Sequence, residues 1–569
     1  MFTMTRKYLY LVFFSAICLF SLNLRAQKSE GGIPPSFNYP SLLRSASGAQ
    51  YVNADLDVKR LIWEDSIAER NGAPLRLAIE VPVDIDMKKT GHWRILPDST
   101  RIWQHTISLE KASGVIISYN DFYIPPGGKL FIYNEDGTSV LGAYTHETYP
   151  QGGRFATEPV YGDIFTLEYV ASPISQEEPR IIIEGLGYMY KSSACPEGER
   201  CSPQINSSRQ KCMLNVNCEE GNAWKRQKQG VVLFFVKLLE DDQGFPRQVW
   251  SACTGSLVNN TNRDGKPYIL SATHCFVKKP VMDQLIVYFN HEFSECANEN
   301  VMTQYKSLVG AIPRAEIPLS HGSDTYLYEL KEEVPKVWNP YYNGWDRRNN
   351  PANTGSVIHH PNYDVKKISL YRDQLTSGTW EQKLGSITTK GAANGHWRVV
   401  YSKGVTEAGS SGSPIFNENG LIIGTLSGGQ SVCSNMNLAD MYGKFWFAWD
   451  QYNDNVESQL KPYLDPSNKG VDYLEGYDPN NPSGIEDEWE ENTKELILFP
   501  VPATDDLSIN ADSIIRGIDI YDMQGRVVFS RSNYSGSTAA INISNFPYGT
   551  YMIKVKTDQK SITDKFIKK

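Results

Sequence analysis

Short apolar runs of strand length recur through the middle of the chain. They fall at residues 230–239, 250–257, 268–271, 285–289, 325–330, 356–359, 397–401 and 421–426. Thr325-Tyr326-Leu327-Tyr328-Glu329-Leu330 alternates in the manner of a half-buried strand. Turn residues separate the runs, and few stretches carry helical spacing, so the pattern predicts an antiparallel barrel or sandwich. Upstream, β-branched or alternating runs at 114–119 and 129–133 flank the turn signal Pro125-Pro126-Gly127-Gly128, and Asn134-Glu135-Asp136-Gly137 follows. These predict a β-sandwich over residues 27–191. Downstream, a Pro/Asn-rich and then acidic stretch at 478–491 reads as part of a solvated linker, placed at 467–495. Beyond it the runs 518–528, 541–544 and 548–555 predict a second, smaller β-sandwich over 496–569. The expected class is all-β throughout, with the central domain at 192–466.

The N-terminus has a different pattern. Arg6 and Lys7 precede a mostly apolar stretch at 8–24, and Leu24-Arg25-Ala26 offers a small-residue cleavage site before Gln27. This is the layout of a secretory signal peptide over 1–26, and no other stretch is long and apolar enough to span a bilayer.

Composition narrows the function classes. The 569 residues are 40% hydrophobic and 21% charged, with a formal net charge of −9 and no long basic tract, so nothing points to a nucleic-acid partner. Tyrosine (32) and tryptophan (12) are plentiful, which fits strand-rich domains. Of nine cysteines, Cys18 lies in the signal, which leaves an even set at 195, 201, 212, 218, 253, 275, 296 and 433. An even number in an exported chain implies disulfides, and their spacing lacks the paired C-x-x-C of a metal site. Their number leaves the connectivity open.

Three stretches carry candidate chemistry. Glu407-Ala408-Gly409-Ser410-Ser411-Gly412-Ser413-Pro414 is a small-residue turn whose glycines allow a sharp bend with an exposed hydroxyl and convergent N–H groups. Leu270-Ser271-Ala272-Thr273-His274-Cys275 sets a histidine after an apolar run, and Gly322-Ser323-Asp324 sets a carboxylate before one. A serine is a weak nucleophile until an imidazole takes its proton, and that imidazole needs a third group to orient it. His274, Asp324 and Ser411 supply the three parts; Ser411 is preferred to Ser410 and Ser413 because Gly409 stands two before it and Gly412 directly after. The pair His359-His360 is an alternative base with no acid placed to orient it.

These stretches resemble the chymotrypsin-fold serine peptidases, and more closely the bacterial lysyl endopeptidase family. The resemblance rests on Ala252 to Asn260, Ala272-Thr273-His274-Cys275, Gly344-Trp345-Asp346-Arg347-Arg348, His359-His360-Pro361-Asn362 and Gly409 to Pro414, and covers roughly residues 210–470. It implies a double β-barrel with the site between barrels, and an acyl-enzyme mechanism that needs no cofactor. It implies His274, Asp324 and Ser411 as the triad, the N–H groups of Gly409 and Ser411 as the oxyanion hole, and disulfides Cys212–Cys433, Cys218–Cys296 and Cys253–Cys275, with Cys195–Cys201 left over. It implies Asp440 at the base of a lysine pocket, Trp345 beside the histidine, and Ser427 and Gly428 along the substrate edge. Ser427 stands where the family has a histidine. A trypsin-like preference for arginine and lysine remains a second reading, and a non-catalytic adhesin on the same fold a third. Family members are made as zymogens, which favours a propeptide over a binding module for 27–191, with activation after Lys191, Arg200, Arg209 or Lys211.

The tail, with Leu498-Phe499-Pro500-Val501-Pro502, Gly525-Arg526-Val527-Val528 and Lys565-Phe566-Ile567-Lys568-Lys569, resembles the C-terminal sorting domain of Bacteroidetes type IX secretion; a binding module is the alternative. That resemblance implies export by this machinery, removal of the tail, and release or attachment at the outer cell surface. The expected partners are protein or peptide substrates and the secretion machinery, and the mature enzyme is expected to be a monomer.

Overall fold

The computed structural model describes residues 29–39, 48–70, 73–191, 212–242, 245–297, 305–384, 387–481, 496–499, 503–511, 513–522 and 526–568. The expected signal peptide, Cys195, Cys201 and the activation sites at Arg200, Arg209 and Lys211 lie outside these residues. The chain divides into one unit ending at Pro482 and a second over Ser483–Lys569.

The first unit opens with helix α1 (Val58–Arg70) and continues in strands: β1 (Leu75–Asp86), β2 (Arg101–Ser108), β3 (Gly114–Tyr123), β4 (Lys129–Asn134), β5 (Ile164–Val170) and β6 (Arg180–Met189). β2, β5 and β4 lie in one sheet, and β1, β6 and β3 in another. Residues such as Trp103, Leu130, Ile132, Phe165, Leu167, Ile116 and Leu186 fill the space between them. This is the sandwich that the alternating runs imply.

The central strands are β7 (Val231–Asp242), β8 (Phe245–Leu257), β9 (Tyr268–Ser271), β10 (Ile286–Phe289) and β11 (Thr325–Leu330). β10 pairs with β7, β7 with β8, β8 with β9 and β9 with β11. Gly310, at φ +90°, bends the run between 306 and 317, so that Lys306–Val309 pairs with β10 and Ala311–Ile317 with β11. The other half is built from β12 (Gly355–His359), β13 (Lys367–Tyr371), β14 (His396–Val399), β15 (Pro414–Phe416), β16 (Ile422–Gly429) and β17 (Asp440–Lys444). Their order in the sheet is β13-β12-β15-β16-β17-β14. The two sheets divide the central region into two halves, an arrangement consistent with the expected chymotrypsin-like class, and the described residues are mostly strand.

Strand pairing crosses two of the expected domain limits. β1 pairs with β8, so that one sheet of twelve strands runs from the N-terminal sandwich into the central half. The N-terminal region is therefore continuous with its neighbour through the sheet. At the other end, residues 467–481 are not linker. Tyr473–Leu474 pairs with Trp345–Asp346, and Tyr477 exchanges backbone hydrogen bonds with Tyr342 at 2.8 and 2.9 Å.

The second unit contains two small sheets, with β18 (Asp506–Ala511) in one and β19 (Ile515–Tyr521), β20 (Gly549–Thr557) and β21 (Ser561–Lys568) in the other. Leu507, Ile509, Ile518, Ile520, Ile553, Val555 and Phe566 form its core.

Candidate active site

The histidine loop follows β9 directly, and the Cys253–Cys275 disulfide ties it to β8 across a separation of 22 residues. Asp324 sits at the entry to β11, the strand paired with β9, so the ladder itself brings histidine and aspartate together. The contact is double. Asp324 Oδ2 accepts from His274 Nδ1 at 2.7 Å, and Oδ1 accepts from the backbone N–H of His274 at 2.9 Å. Asp324 is fully buried, and its φ of +55° is the left-handed conformation that turns the carboxylate back toward the loop. A carboxylate fixed on Nδ1 holds the imidazole with Nε2 as the acceptor. Among the described residues His274 Nε2 has no hydrogen-bond partner although it is buried.

The serine turn is packed against this loop. A β-carbon on Gly412, whose φ is +79°, would lie 2.0 Å from Ser271 Oγ and 2.9 Å from the backbone N of Ala272. The neighbouring carbonyls are held by β8, where Thr254 N–H donates to Ser411 O at 2.8 Å and Thr254 Oγ1 donates to Gly409 O at 2.9 Å. Among the described residues Ser411 Oγ makes no hydrogen bond, and the N–H groups of Gly409 and Ser411 have no acceptor. A resting site often lacks the nucleophile–base hydrogen bond, which tightens only on substrate binding. The rival serines are occupied or enclosed: Ser410 Oγ is held by His359 Nδ1 at 2.8 Å and accepts from Glu407 N–H, and Ser413 is fully buried.

His359 and His360 are positioned as supports. His359 is fully buried between Ser410 and Ser369, and burial pushes its pKa down to about 3, so the ring is neutral. His360 N–H donates to Thr254 Oγ1 at 3.0 Å, and its ring meets Asp364 O at 2.9 Å. Neither touches Asp324.

Asp440 is fully buried on β17, opposite Gly429. It accepts from Thr406 Oγ1 at 2.6 Å, Ser431 Oγ at 2.7 Å and Ser431 N–H at 3.0 Å. No cation approaches it among the described residues; Lys444, on the same strand, donates instead to Asn349 and Ser377. Burial raises the pKa of Asp440, and the hydroxyl and amide donors oppose that rise. Gly429 packs directly against the carboxylate, where any side chain would collide with it: a β-carbon there would lie 1.8 Å from Asp440 Oδ1. Cys433, bonded to Cys212, holds the loop between Gly429 and Asp440.

Trp345, expected beside the histidine, lies in an apolar core with Phe445 and Trp449. It is fully buried, stacked on Phe445 at 5.6 Å and tilted on Trp449 at 4.7 Å, and its indole N–H donates to Asn259 O at 2.8 Å. A ring enclosed on both faces presents nothing to a substrate. Trp380 stands against Gly428 instead, where its Cη2 would lie 3.0 Å from a β-carbon. It stacks on the buried His396, which burial holds neutral with a pKa near 4. Ser427 is 2% exposed, and its hydroxyl has no partner among the described residues. Trp380 lies in no recognisable sequence word, and an isolated Trp in a polar stretch gives no positional signal. Thr254 lies inside the Ala252–Asn260 word, but a threonine in a strand reads as filler. Among the described residues the disulfides are Cys212–Cys433, Cys218–Cys296 and Cys253–Cys275, as expected, and the expected Cys195–Cys201 pair lies outside them.

Residues 497–569 match the family model described as a secretion system C-terminal sorting domain. That tail belongs to type IX secretion, and the chain is an exported one. Over 228 residues the chain is 30% identical to the lysyl endopeptidase of Pseudomonas aeruginosa, a match that takes in 38% of this chain and 44% of that one. The chain thus spans less than half the length of this relative. Residues 205–443 match the family model of the lysyl endopeptidase C-terminal domain, and this stretch carries the likeness to the lysyl endopeptidases.

Proposed function

We propose that the central region is a secreted serine endopeptidase that hydrolyses peptide bonds on the C-terminal side of lysine. The observation that carries this reading is the buried Asp324–His274 pair, with His274 7% exposed and its Nε2 unpartnered on the loop that packs the Ser411 turn. In this reading His274 Nε2 takes the Ser411 proton as Oγ attacks the substrate carbonyl. The oxyanion is received by the N–H groups of Gly409 and Ser411, each such donor being worth about 2.7–4 kcal/mol in acyl transfer. His274 then gives its proton to the leaving amine, and Asp324 stabilises the imidazolium while it exists. Water releases the acyl group by the same steps in reverse roles.

Lysine preference is read from Asp440. A carboxylate buried without a cation is costly, and a substrate ammonium entering past Gly429 supplies the missing charge. Gly428 and Gly429 offer the edge of β16 for pairing with substrate backbone. Residues 27–191 are read as the propeptide of a zymogen. The sorting tail is removed on export, and the mature enzyme acts as a monomer.

The test is mass spectrometry of a protein-mixture digest by the processed enzyme, with Ser411→Ala in parallel. Cuts after lysine alone, absent from the variant, are the expected result. Cuts after lysine and arginine alike would overturn the lysine preference but leave the mechanism standing. An inert, correctly folded enzyme would overturn the peptidase reading.

A further inference from the structure

The N-terminal sandwich shares more with the central region than a linker. β1 is an inner strand, bonded to β6 on one side and to β8 on the other, with Ile79 opposite Val249, Ala78 opposite Trp250 and Leu75 opposite Ala252. Residue 252 is next to Cys253, which anchors the histidine loop. One apolar core runs across the junction: Leu77, Ile79, Ile116, Phe155 and Leu186 belong to the same cluster as Val236, Leu238, Trp250 and Tyr288.

Polar groups at the junction are shared between the two sides. Lys237, fully buried on β7, pairs with Glu80 at 3.2 Å and Glu184 at 3.0 Å, both from the N-terminal side. Trp250 Nε1 donates to Glu80 Oε2 at 2.7 Å and its ring is packed on Gly187, where a β-carbon would lie 2.9 Å from it. Gln284 donates to Tyr119 O and to Glu184, and Ser307 to Glu158. Separating the two sides would wet a continuous core and open a sheet at its middle. Such a contact has the character of an obligate interface, which resembles a domain core cut in two.

This junction also reaches the serine turn without covering it. Lys191 O accepts from Tyr363 Oη at 3.3 Å, and the backbone N of Tyr363 would lie 3.2 Å from a β-carbon on Gly409. Ala408 and Tyr363 pack against the shared core. The Lys191 ammonium is bound to Glu69 at 2.7 Å and Asp65 at 3.0 Å, away from Asp440. Among the described residues none of 29–191 hydrogen-bonds to His274, Asp324, Ser411 or Asp440.

We infer that residues 27–191 remain in the working protein as a non-dissociating subunit that props the serine turn. Cleavage between Lys191 and Cys212 then yields a two-fragment enzyme rather than a freed peptidase. The inference uses the peptidase reading only for the fact of that cleavage, and its test is independent of it. A recognition sequence for a site-specific protease is inserted between Lys191 and Cys212 in the full Ser411→Ala chain. After cutting, the sample is analysed at sub-micromolar concentration by size exclusion and native mass spectrometry. The two fragments are expected to travel as one 1:1 species, and an N-terminal fragment eluting alone would overturn the inference. Hydrogen exchange on the uncut chain gives a second readout that needs no cleavage. Amides of β1 and β8 are expected to share the slowest exchange class, and independent opening of β1 would also overturn it. In the active chain cut the same way, activity is expected to follow the paired species; activity in the separated C-terminal fragment would overturn the supporting role.

Discussion

Asp440→Asn separates a specificity carboxylate from a structural one. The substitution keeps size and shape and removes only the charge. Thr406 and Ser431 both present rotatable hydroxyls to residue 440, so each turns to accept from an amide as readily as it donates to a carboxylate. The Ser431 N–H still finds an oxygen. In the free protein no cation pairs with the buried carboxylate among the described residues, and burial raises its pKa above the ordinary value. The folded state therefore holds a proton more readily than the unfolded chain, and stability is lost as pH rises through the folded pKa. The asparagine escapes that loss, so the variant should be at least as stable as the parent at neutral pH. Catalysis should move the other way. Breaking a buried ion pair costs about 3–5 kcal/mol, which is about 100- to 4,000-fold in kcat/KM. The assay is kcat/KM on paired peptides ending in lysine and in leucine, with thermal unfolding of both proteins. The lysine peptide should lose two to three orders of magnitude by this estimate and the leucine peptide almost nothing. A lysine kcat/KM within tenfold of the parent, in a stable variant, would refute the pocket reading.

Asp324→Asn should lower kcat about 10⁴-fold with little change in KM, because the imidazole is then held in the wrong tautomer; stopped or steady-state kinetics decide it. Gly412→Ala forces a β-carbon onto Ser271 and Thr254 O from a left-handed backbone, and should cost about 100-fold in rate with the far-ultraviolet spectrum preserved, since small misplacements of a nucleophile have that effect. Burial lowers His291, His359 and His396 to pKa values near 4, 3 and 4, so each is neutral when folded and must bind a proton to unfold below pH 6.5. Stability is then fully present above that pH and falls by about 1.4 kcal/mol per pH unit for each ring as pH drops toward the folded values; a urea midpoint unchanged between pH 7 and 5 would contradict this.

Much of this was readable from residues alone, for reasons that can be located. Strands such as 268–271 and 325–330 are apolar or alternating and bounded by turns, and each forms where expected. Some of the strands that went unpredicted carry charges at buried positions. β13 begins at a buried Lys367, and β17 runs from buried Asp440 to buried Lys444, so periodicity is hidden where polar groups are satisfied by distant partners. The Ala-Thr-His-Cys word located His274 because loop, disulfide and ladder are all local to it. Trp345 is assigned by resemblance of the Gly344–Arg348 stretch alone, whereas the partners that enclose it, Phe445 and Trp449, lie about a hundred residues away, where no local pattern could show them. The twelve-stranded sheet was not legible at all. The pairing of β1 with β8 depends on which edge each sheet leaves open, and no local pattern records that.

The shared sheet also bears on the order in which the chain is made. The N-terminal sandwich emerges first, and domains fold as they are synthesised. Its strand β1 then presents an open row of backbone groups, the kind of edge that attracts foreign strands. β8 follows more than 150 residues later, and the central region gains its full set of neighbours only by taking that place. Contacts so distant in sequence are slow to form by themselves. A strand already laid down removes part of that search. Histidine loop, disulfide and serine turn are thus assembled on a template that the chain has built for itself.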